Sequence, residues 1–287
     1  PDRLLNLFIY GRMQSPITWD VIIIPTYITI SLLLLYFPLL PDFGLLKKHF
    51  KEKKPKLSKW YGKLSLNWTG SEAQKAIQTK SIKIIAILII PAGFMLQTID
   101  AWLFSTLFRV GWDSTNLGAY FISGASVAGV GALVSVAYVL QKAYKLEDYI
   151  TDYHFDKLGK FLVLVCLVYL YFNLNEYLIP QLTSKKEATT HINVLLTGQY
   201  APLFWFVIIG GLIVPIIALM FKKGRKPLPM FIIGLLVVVT SWWKRYLIVT
   251  PTLLHPFLPI QGVPESWRHY FPSIHEWLIT IATLAME

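Results

Sequence analysis

The sequence predicts an all-α integral membrane protein, a polytopic bundle of helices. Three observations lead there. Of the 287 residues, 55% are hydrophobic and only 15% are charged, which is more apolar surface than a soluble domain of this size could bury. The apolar residues cluster into runs close to or beyond the roughly 20 residues that cross a bilayer. The lysines stand mainly between those runs. A single domain over residues 1–287 is the default for such a chain.

Seven spans can be placed, near 19–40, 82–108, 117–140, 158–182, 201–221, 228–254 and 274–287. The first opens on Trp19 and closes at Pro41-Asp42. The second lies between the lysine-rich loop 42–80 and Arg109. The third is dense in small residues, Ser123, Gly124, Ala125, Ala128, Gly129, Gly131 and Ala132. Its Gly124/Ala128 and Ala125/Gly129 pairs would let helix backbones approach closely, so it is expected at the centre of the bundle. The fourth and fifth spans flank a polar stretch at 184–200. A short basic turn, Lys-Lys-Gly-Arg-Lys at 222–226, leads into the sixth, and the last begins near Ile274. Pro25, Pro91 and Pro215 fall inside spans, where each removes a backbone hydrogen bond and predicts a kink.

The net charge of +11 does not indicate nucleic acid, because its position sets topology instead. Loops 42–80, 141–160 and 222–226 emerge on one face and carry most of the lysine, including Lys47, Lys48, Lys51, Lys53, Lys54, Lys56, Lys59 and Lys63. Segments 1–18, 109–116, 184–200 and 255–273 emerge on the other and carry far less. The positive-inside rule makes the lysine-rich face cytoplasmic. Pro1 then lies outside, and an additional upstream helix is expected to return the N-terminus to the cytoplasm. The stretch Lys47–Lys63, with Trp60 and Tyr61 among its lysines, is expected at the cytoplasmic lipid surface.

Ionisable groups in hydrocarbon cost several kcal/mol, on the order of 3, unless paired or wet, so their positions carry functional information. Asp20, Gln97, Asp100, Asp113, Asn175, Glu176, Lys244 and Arg245 lie in or beside the spans. With the topology above, all fall in the exoplasmic half, although they come from four helices and a loop. Gln97 and Asp100 are three apart and share a helix face. One reading is a structural ion-pair network in which Lys244 and Arg245 neutralise Asp20, Asp100 and Glu176. The other is a polar pocket for a small molecule with a proton route, and the shared sidedness favours it. The tryptophans, Trp102 among them, fit an aromatic belt.

Several chemistries are excluded for the chain alone. Cys166 is its single cysteine, so it holds neither a disulfide framework nor an iron–sulfur cluster of its own. His49, His154, His191, His255, His269 and His275 lie in loops or at span ends, which leaves no pair for a buried bis-histidine haem. Zinc-ligand spacing, a phosphate loop and a nucleophile elbow are not found. Any redox centre must come from a partner.

An ordered set of motifs resembles one family. Ser15-Pro16-Ile17-Thr18-Trp19-Asp20, with Tyr27, Ser31, Tyr36 and Leu40-Pro41-Asp42, resembles its first motif helix. Gly111-Trp112-Asp113-Ser114-Thr115, followed by Tyr120-Phe121-Ile122-Ser123-Gly124-Ala125, resembles its Gly-Trp-x-Ser-Thr segment and small-residue helix. Tyr171-Phe172-Asn173-Leu174-Asn175-Glu176 matches its Tyr-Phe-x-x-Asn-Glu. Tyr200-Ala201-Pro202-Leu203-Phe204-Trp205 matches the start of the next helix, and Arg245-Tyr246-Leu247-Ile248-Val249 with His255-Pro256 resembles the last block. The chain therefore resembles the NrfD/polysulfide-reductase membrane subunits, on the branch that includes the large membrane subunits of alternative complex III.

The resemblance implies two four-helix bundles, seven spans here plus the upstream helix. It implies a haem-free subunit that exchanges electrons between quinone and an extrinsic ferredoxin-like iron–sulfur subunit, with a molybdopterin catalytic subunit beyond, in a prokaryotic plasma membrane. No metal is expected in this chain. The family's second motif helix carries a histidine before a Trp-Asp-Phe; aligning Trp102 and Phe104 puts Gln97 at the histidine and Leu103 at the aspartate, with Asp100 as the substitute carboxylate. Asp113 replaces the family's histidine after Gly-Trp, and Lys244 the acidic residue before Arg245. The expected quinone and proton-acceptor residues are Gln97, Asp100 and Asp20. The expected proton relay is Glu176 with Lys244 or Arg245, and the expected pocket adds Trp102, Asp113 and Asn175. A secondary transporter or proton-conducting protein is the alternative, since membrane carboxylates and an arginine suit it too; no repeat-related pair of broken helices supports it.

Overall fold

A computed structural model describes residues 2–107, 109–182, 186–254 and 272–286. Phe108, the His255-Pro256 motif, His269 and Glu287 lie outside the described residues. The protein is an all-α polytopic membrane bundle, with no strand among the described residues. Six helices are long and apolar enough to cross a membrane: Pro16–Lys53, Glu72–Ser105, Leu117–Ala143, Asp152–Leu182, Ala201–Met220 and Pro227–Leu254. The seventh expected span corresponds to a helix of 13 residues, Ile274–Met286. The chain forms two compact units, residues 1–103 and 104–287.

In the first unit a short helix, α1 (Asp2–Ile9), precedes α2 (Pro16–Lys53), which continues through Pro25, Pro38 and Pro41. The helix outruns the expected span by more than three turns because its end is covered. Helix α3 (Pro55–Leu64) folds back along it. Tyr61 stacks on Phe43 and Phe50, Ser58 donates to the Lys47 carbonyl at 2.9 Å, and Tyr36 donates to the Leu64 carbonyl at 2.5 Å. The lysine-rich stretch is thus a helical hairpin. Helix α4 (Glu72–Ser105) begins well before the apolar run. Gln74 explains this: its side-chain oxygen accepts from the Thr69 and Gly70 backbone N–H groups, while its backbone N–H donates to Ser71 Oγ. These bonds satisfy donors that a helix start leaves open.

The second unit holds α5 (Leu117–Ala143), α6 (Asp152–Leu182), the pair α8 (Ala201–Ile208) and α9 (Val214–Met220), and α10 (Pro227–Leu254). Each packs on two neighbours in a closed ring: α5 on α6, α6 on α9, α8 on α10, and α10 on α5. Helix α7 (Lys186–Leu196), read from the sequence only as a polar connection, closes one end against α6, α8 and α10. It does so through buried His191, Ile192 and Leu195. Helix α11 is Ile274–Met286.

Glycine sets the ring's closest approach. A Cβ on Gly131 would stand 2.8 Å from Val237 Cγ1, and one on Gly234 would stand 2.8 Å from the Gly131 carbonyl oxygen. Backbones of α5 and α10 meet there. Gly124 is covered by the Tyr169 ring, but nothing lies within 4 Å of a Cβ on Gly129. The approach expected at Ala125/Gly129 is therefore made one helix face further on.

The fifth span contains a π-helical turn, Ile209–Ile213, directly before Pro215. Proline cannot donate to the carbonyl four residues back, and its ring crowds it. Widening the preceding turn relieves both conditions. At the lysine-rich end Arg225, buried, locks the ring. Its Nε donates to Asp156 Oδ1 at 2.7 Å, and one terminal nitrogen donates to the Leu219 and Met220 carbonyls at 2.5 and 2.9 Å. The last carbonyls of α9 are thereby capped. Gly159 of α6 makes room for the arginine stem, since a Cβ there would be 2.9 Å from Arg225 Cγ.

Overpacking a closed contact typically costs about 1–3 kcal/mol. Gly131→Leu is expected to lower the thermal midpoint of detergent-solubilised protein well beyond Gly129→Leu, as read by fluorescence-detected size exclusion after heating. Equal effects would show that α5 and α10 do not meet at Gly131.

Candidate functional site

The far end of the second unit, away from its basic loops, holds a caged lysine. Tyr169, Asn173 and Tyr177 recur every four residues on α6 and so line one face. Tyr120 comes from α5, Phe204 from α8 and Lys244 from α10. Lys244 is only 3% exposed. Its Nζ donates to the Tyr177 phenol oxygen at 2.7 Å. The same nitrogen lies 4.7, 5.3 and 5.8 Å from the ring centres of Tyr177, Phe204 and Tyr120. An ammonium removed from water needs such compensation: a charge-assisted hydrogen bond and the negative faces of aromatic rings.

Polar atoms continue from the cage into the ring. The Tyr120 ring packs 5.3 Å from that of Tyr169. Asn173 Nδ2 donates to the Tyr169 carbonyl at 2.8 Å. The Tyr120 hydroxyl and Asn173 Oδ1 are buried without a protein hydrogen-bond partner. A cavity of about 40 Å³ touches Tyr120 and Lys244, and one of about 10 Å³ touches Lys244, Asn173 and Thr240 beside the π-helical turn. Space of roughly this size, lined by polar groups, accommodates single waters.

Glu176 sits beside the cage, on the loop side. Ser114 Oγ donates to Glu176 Oε2 at 2.9 Å and accepts from the Asn116 amide at 3.2 Å. The loop is held by Trp112, which is buried, packs edge-on against Phe104 and donates its indole N–H to the Ile248 carbonyl at 2.9 Å. Gly111 has φ +88°, and a Cβ there would be 2.8 Å from His191 Nε2. Both conditions require glycine. A cavity of about 70 Å³ gathers Asp113, Ser114, Glu176, Tyr177, Tyr120 and His191.

In the first unit, Gln78 donates to the Phe37 carbonyl and Gly93 lies against the Tyr27 ring. These contacts set α2 and α4 antiparallel. Asp20 stands two turns beyond the Tyr27 contact on α2 and Asp100 two turns beyond it on α4, so these two are level, with Gln97 one turn nearer the contact. Asp20 Oδ1 and Gln97 Oε1 are buried without a protein hydrogen-bond partner. Trp102 is exposed.

The remaining expected residues are placed differently from one another. Asp113 is exposed at the cavity mouth. Asn175 turns back to the Tyr171 carbonyl at 3.0 Å. Arg245 is exposed and lines both the cavity of about 40 Å³ with Tyr120 and Lys244 and a groove on the side of α10 facing α11. Glu176 and Lys244 do not pair directly; the first binds Ser114 and the second binds Tyr177. Tyr120, Tyr169, Tyr177 and Phe204 were not singled out as site residues from the sequence. The four-residue spacing of Tyr169, Asn173 and Tyr177 was the available signal.

A family model described as polysulphide reductase, NrfD, matches residues 1–256. A comparison with curated proteins returned no match.

Leaving a buried charged donor without its acceptor typically costs about 1–3 kcal/mol. Tyr177→Phe is therefore expected to destabilise the protein by that amount in denaturant unfolding, and far less once Lys244→Met is also present. Additive losses would show that the two side chains do not interact.

Proposed function

The chain belongs to the NrfD, polysulphide reductase, family of membrane subunits of quinone-linked oxidoreductases, and from that premise we propose that it exchanges electrons between the membrane quinone pool and an extrinsic ferredoxin-like iron–sulfur subunit. A molybdopterin catalytic subunit would complete the complex, in a prokaryotic plasma membrane with the lysine-rich loops cytoplasmic.

One observation carries the reading. In each unit, ionisable and amide side chains of the spans stand toward the end away from the lysine-rich loops: Asp20 and Asp100 level with Gln97 one turn from them in the first, Glu176 and Lys244 in the second. Quinol oxidation releases two electrons and two protons, and quinone reduction takes them up. The headgroup therefore needs hydrogen-bond partners at its two oxygens and groups that exchange protons. Buried oxygens of Asp20 and Gln97 lacking a protein partner suit the first need. Gln97 donates or accepts through its amide, while Asp20 and Asp100 exchange protons. Trp102 is an apolar wall for the ring.

Glu176 and Lys244 carry the relay, with Tyr177 as the link. Tyr177 already accepts from the lysine and can pass a hydroxyl proton on. The small cavities along Tyr120, Lys244 and Asn173 give water a place in that line. Asp113 stands at its mouth, and Asn175 braces the same turn of α6 as Glu176.

Gln97→Leu and Asp100→Asn are expected to reduce quinol-dependent turnover of the intact complex by about a hundredfold, with assembly unchanged by size exclusion. Turnover at the wild-type rate in both variants would remove the headgroup assignment. Loss only in Lys244→Met would move the chemistry to the second unit.

A further inference from the structure

The lysine-rich hairpin of the first unit is not used by the quinone chemistry, and its side chains are sorted for a different contact. At about 100° per residue, helix α3 has three faces. Ser58 and Tyr61 fill the face on α2, through the Lys47 carbonyl and the rings of Phe43 and Phe50. Leu57, Trp60 and Leu64 form a second row, 39%, 67% and 41% exposed. Lys56, Lys59 and Lys63 form a third row beside it, and all are exposed. Lys63 Nζ stands 5.8 Å from the Trp60 ring centre. Every lysine from Lys48 to Lys63 is exposed, and Glu52 is the one acidic residue among them. None of these lysines joins an ion pair among the described residues.

Depth selects what covers these rows. Gln78 on α4 donates to the Phe37 carbonyl at 2.7 Å, and the exposed Lys80 and Lys83 follow it. Counted from Trp19, the roughly 20 residues of helix that cross about 30 Å of hydrocarbon end near Leu39. Both counts put the hydrocarbon border at the same level, and exposed Asp42 stands just beyond it. Tyr36 donates to the Leu64 carbonyl at 2.5 Å, so α3 ends at the border and begins farther out. Lys59 and Trp60 are little more than one turn above Leu64, roughly 6–8 Å, in a headgroup layer about 5–8 Å deep. Tryptophan favours that layer. Lys56 is one turn farther out, still within the roughly 10 Å over which surface charge acts. On α2, Lys48 and Lys53 are about 140° apart around the axis. The charge therefore surrounds the hairpin instead of forming one flat face, which suits mobile headgroups better than a docked protein.

We infer that the hairpin binds glycerophospholipids of net negative charge. Lys59 and Lys63 hold their phosphates, Leu57, Trp60 and Leu64 sit between the headgroups, and the outer lysines draw further anionic lipid to the same place. Lysine suits this task because its ammonium is a flexible point charge that follows a mobile phosphate. Clusters of lysine directly beyond a span interact with anionic leaflets in this way.

The test is acylation footprinting of the full chain in nanodiscs, with an uncharged amine reagent read by mass spectrometry. Adding phosphatidylglycerol to phosphatidylcholine is expected to slow modification of Lys59 and Lys63 by roughly fivefold, the effect of one lysine at an anionic surface. Exposed Lys145, which has Glu147 and Asp148 close by in sequence, should slow far less. Protection should vanish at about 0.5 M salt, where surface charge is screened within roughly 4 Å, and should weaken in Trp60→Ser although every lysine remains. Equal rates in the two lipids, equal slowing at Lys145, or protection that appears only in the native complex and ignores lipid charge would each overturn the inference, the last in favour of an acidic protein partner. The wild-type comparison between lipids decides the matter if Trp60→Ser fails to fold.

Discussion

An ammonium group inside a helix ring bounded by hydrocarbon must find all of its compensation among neighbouring side chains, and much of the second unit's far end is arranged around that requirement. Lys244 is supplied by helices on every side: a phenol oxygen and ring from α6, a ring from α5 and a ring from α8. No one of these suffices alone, because a single hydrogen bond does not offset removal of the charge from water. The four helices therefore depend on one another through one atom. Glu176, one residue before Tyr177, is held separately by Ser114, so acid and base are close without being joined.

The backbone makes this arrangement possible. Tyr169 and Tyr120 approach each other because Gly124 offers no Cβ beneath the Tyr169 ring. Gly131 and Gly234 bring α5 and α10 into contact below the cage. The π-helical turn before Pro215 places Gly211 against Thr240, where a Cβ would be 2.5 Å from the hydroxyl oxygen. Arg225 then ties α6 to the end of α9 at the opposite end. Rigid helix contacts thus stand at one end of the ring and a polar, partly hollow interior at the other.

The neighbouring residues Lys244 and Arg245 show how rotation of one helix divides two roles. The lysine is buried in the ring, while the arginine is exposed and lines both the small cavity beside Tyr120 and the groove facing α11. The proposed quinone site in the first unit rests on family membership and on Asp20, Gln97 and Asp100 standing within one turn of each other in depth.

From the sequence alone, the all-α membrane class, the family and the approximate positions of the six long helices were legible, although seven spans were expected and α2 and α4 run well past their apolar stretches. These follow from length, composition and the free-energy cost of charge in hydrocarbon, which act on each residue locally. The cage, the direction of Arg245, the glycine pair at Gly131 and Gly234, and the folding-back of α3 were decided only in three dimensions. A membrane span is apolar all round, so its pattern does not say which face is inward. On α10, residues 244 and 245 are about 100° apart, and only packing against α5, α6 and α8 determines which of them is buried.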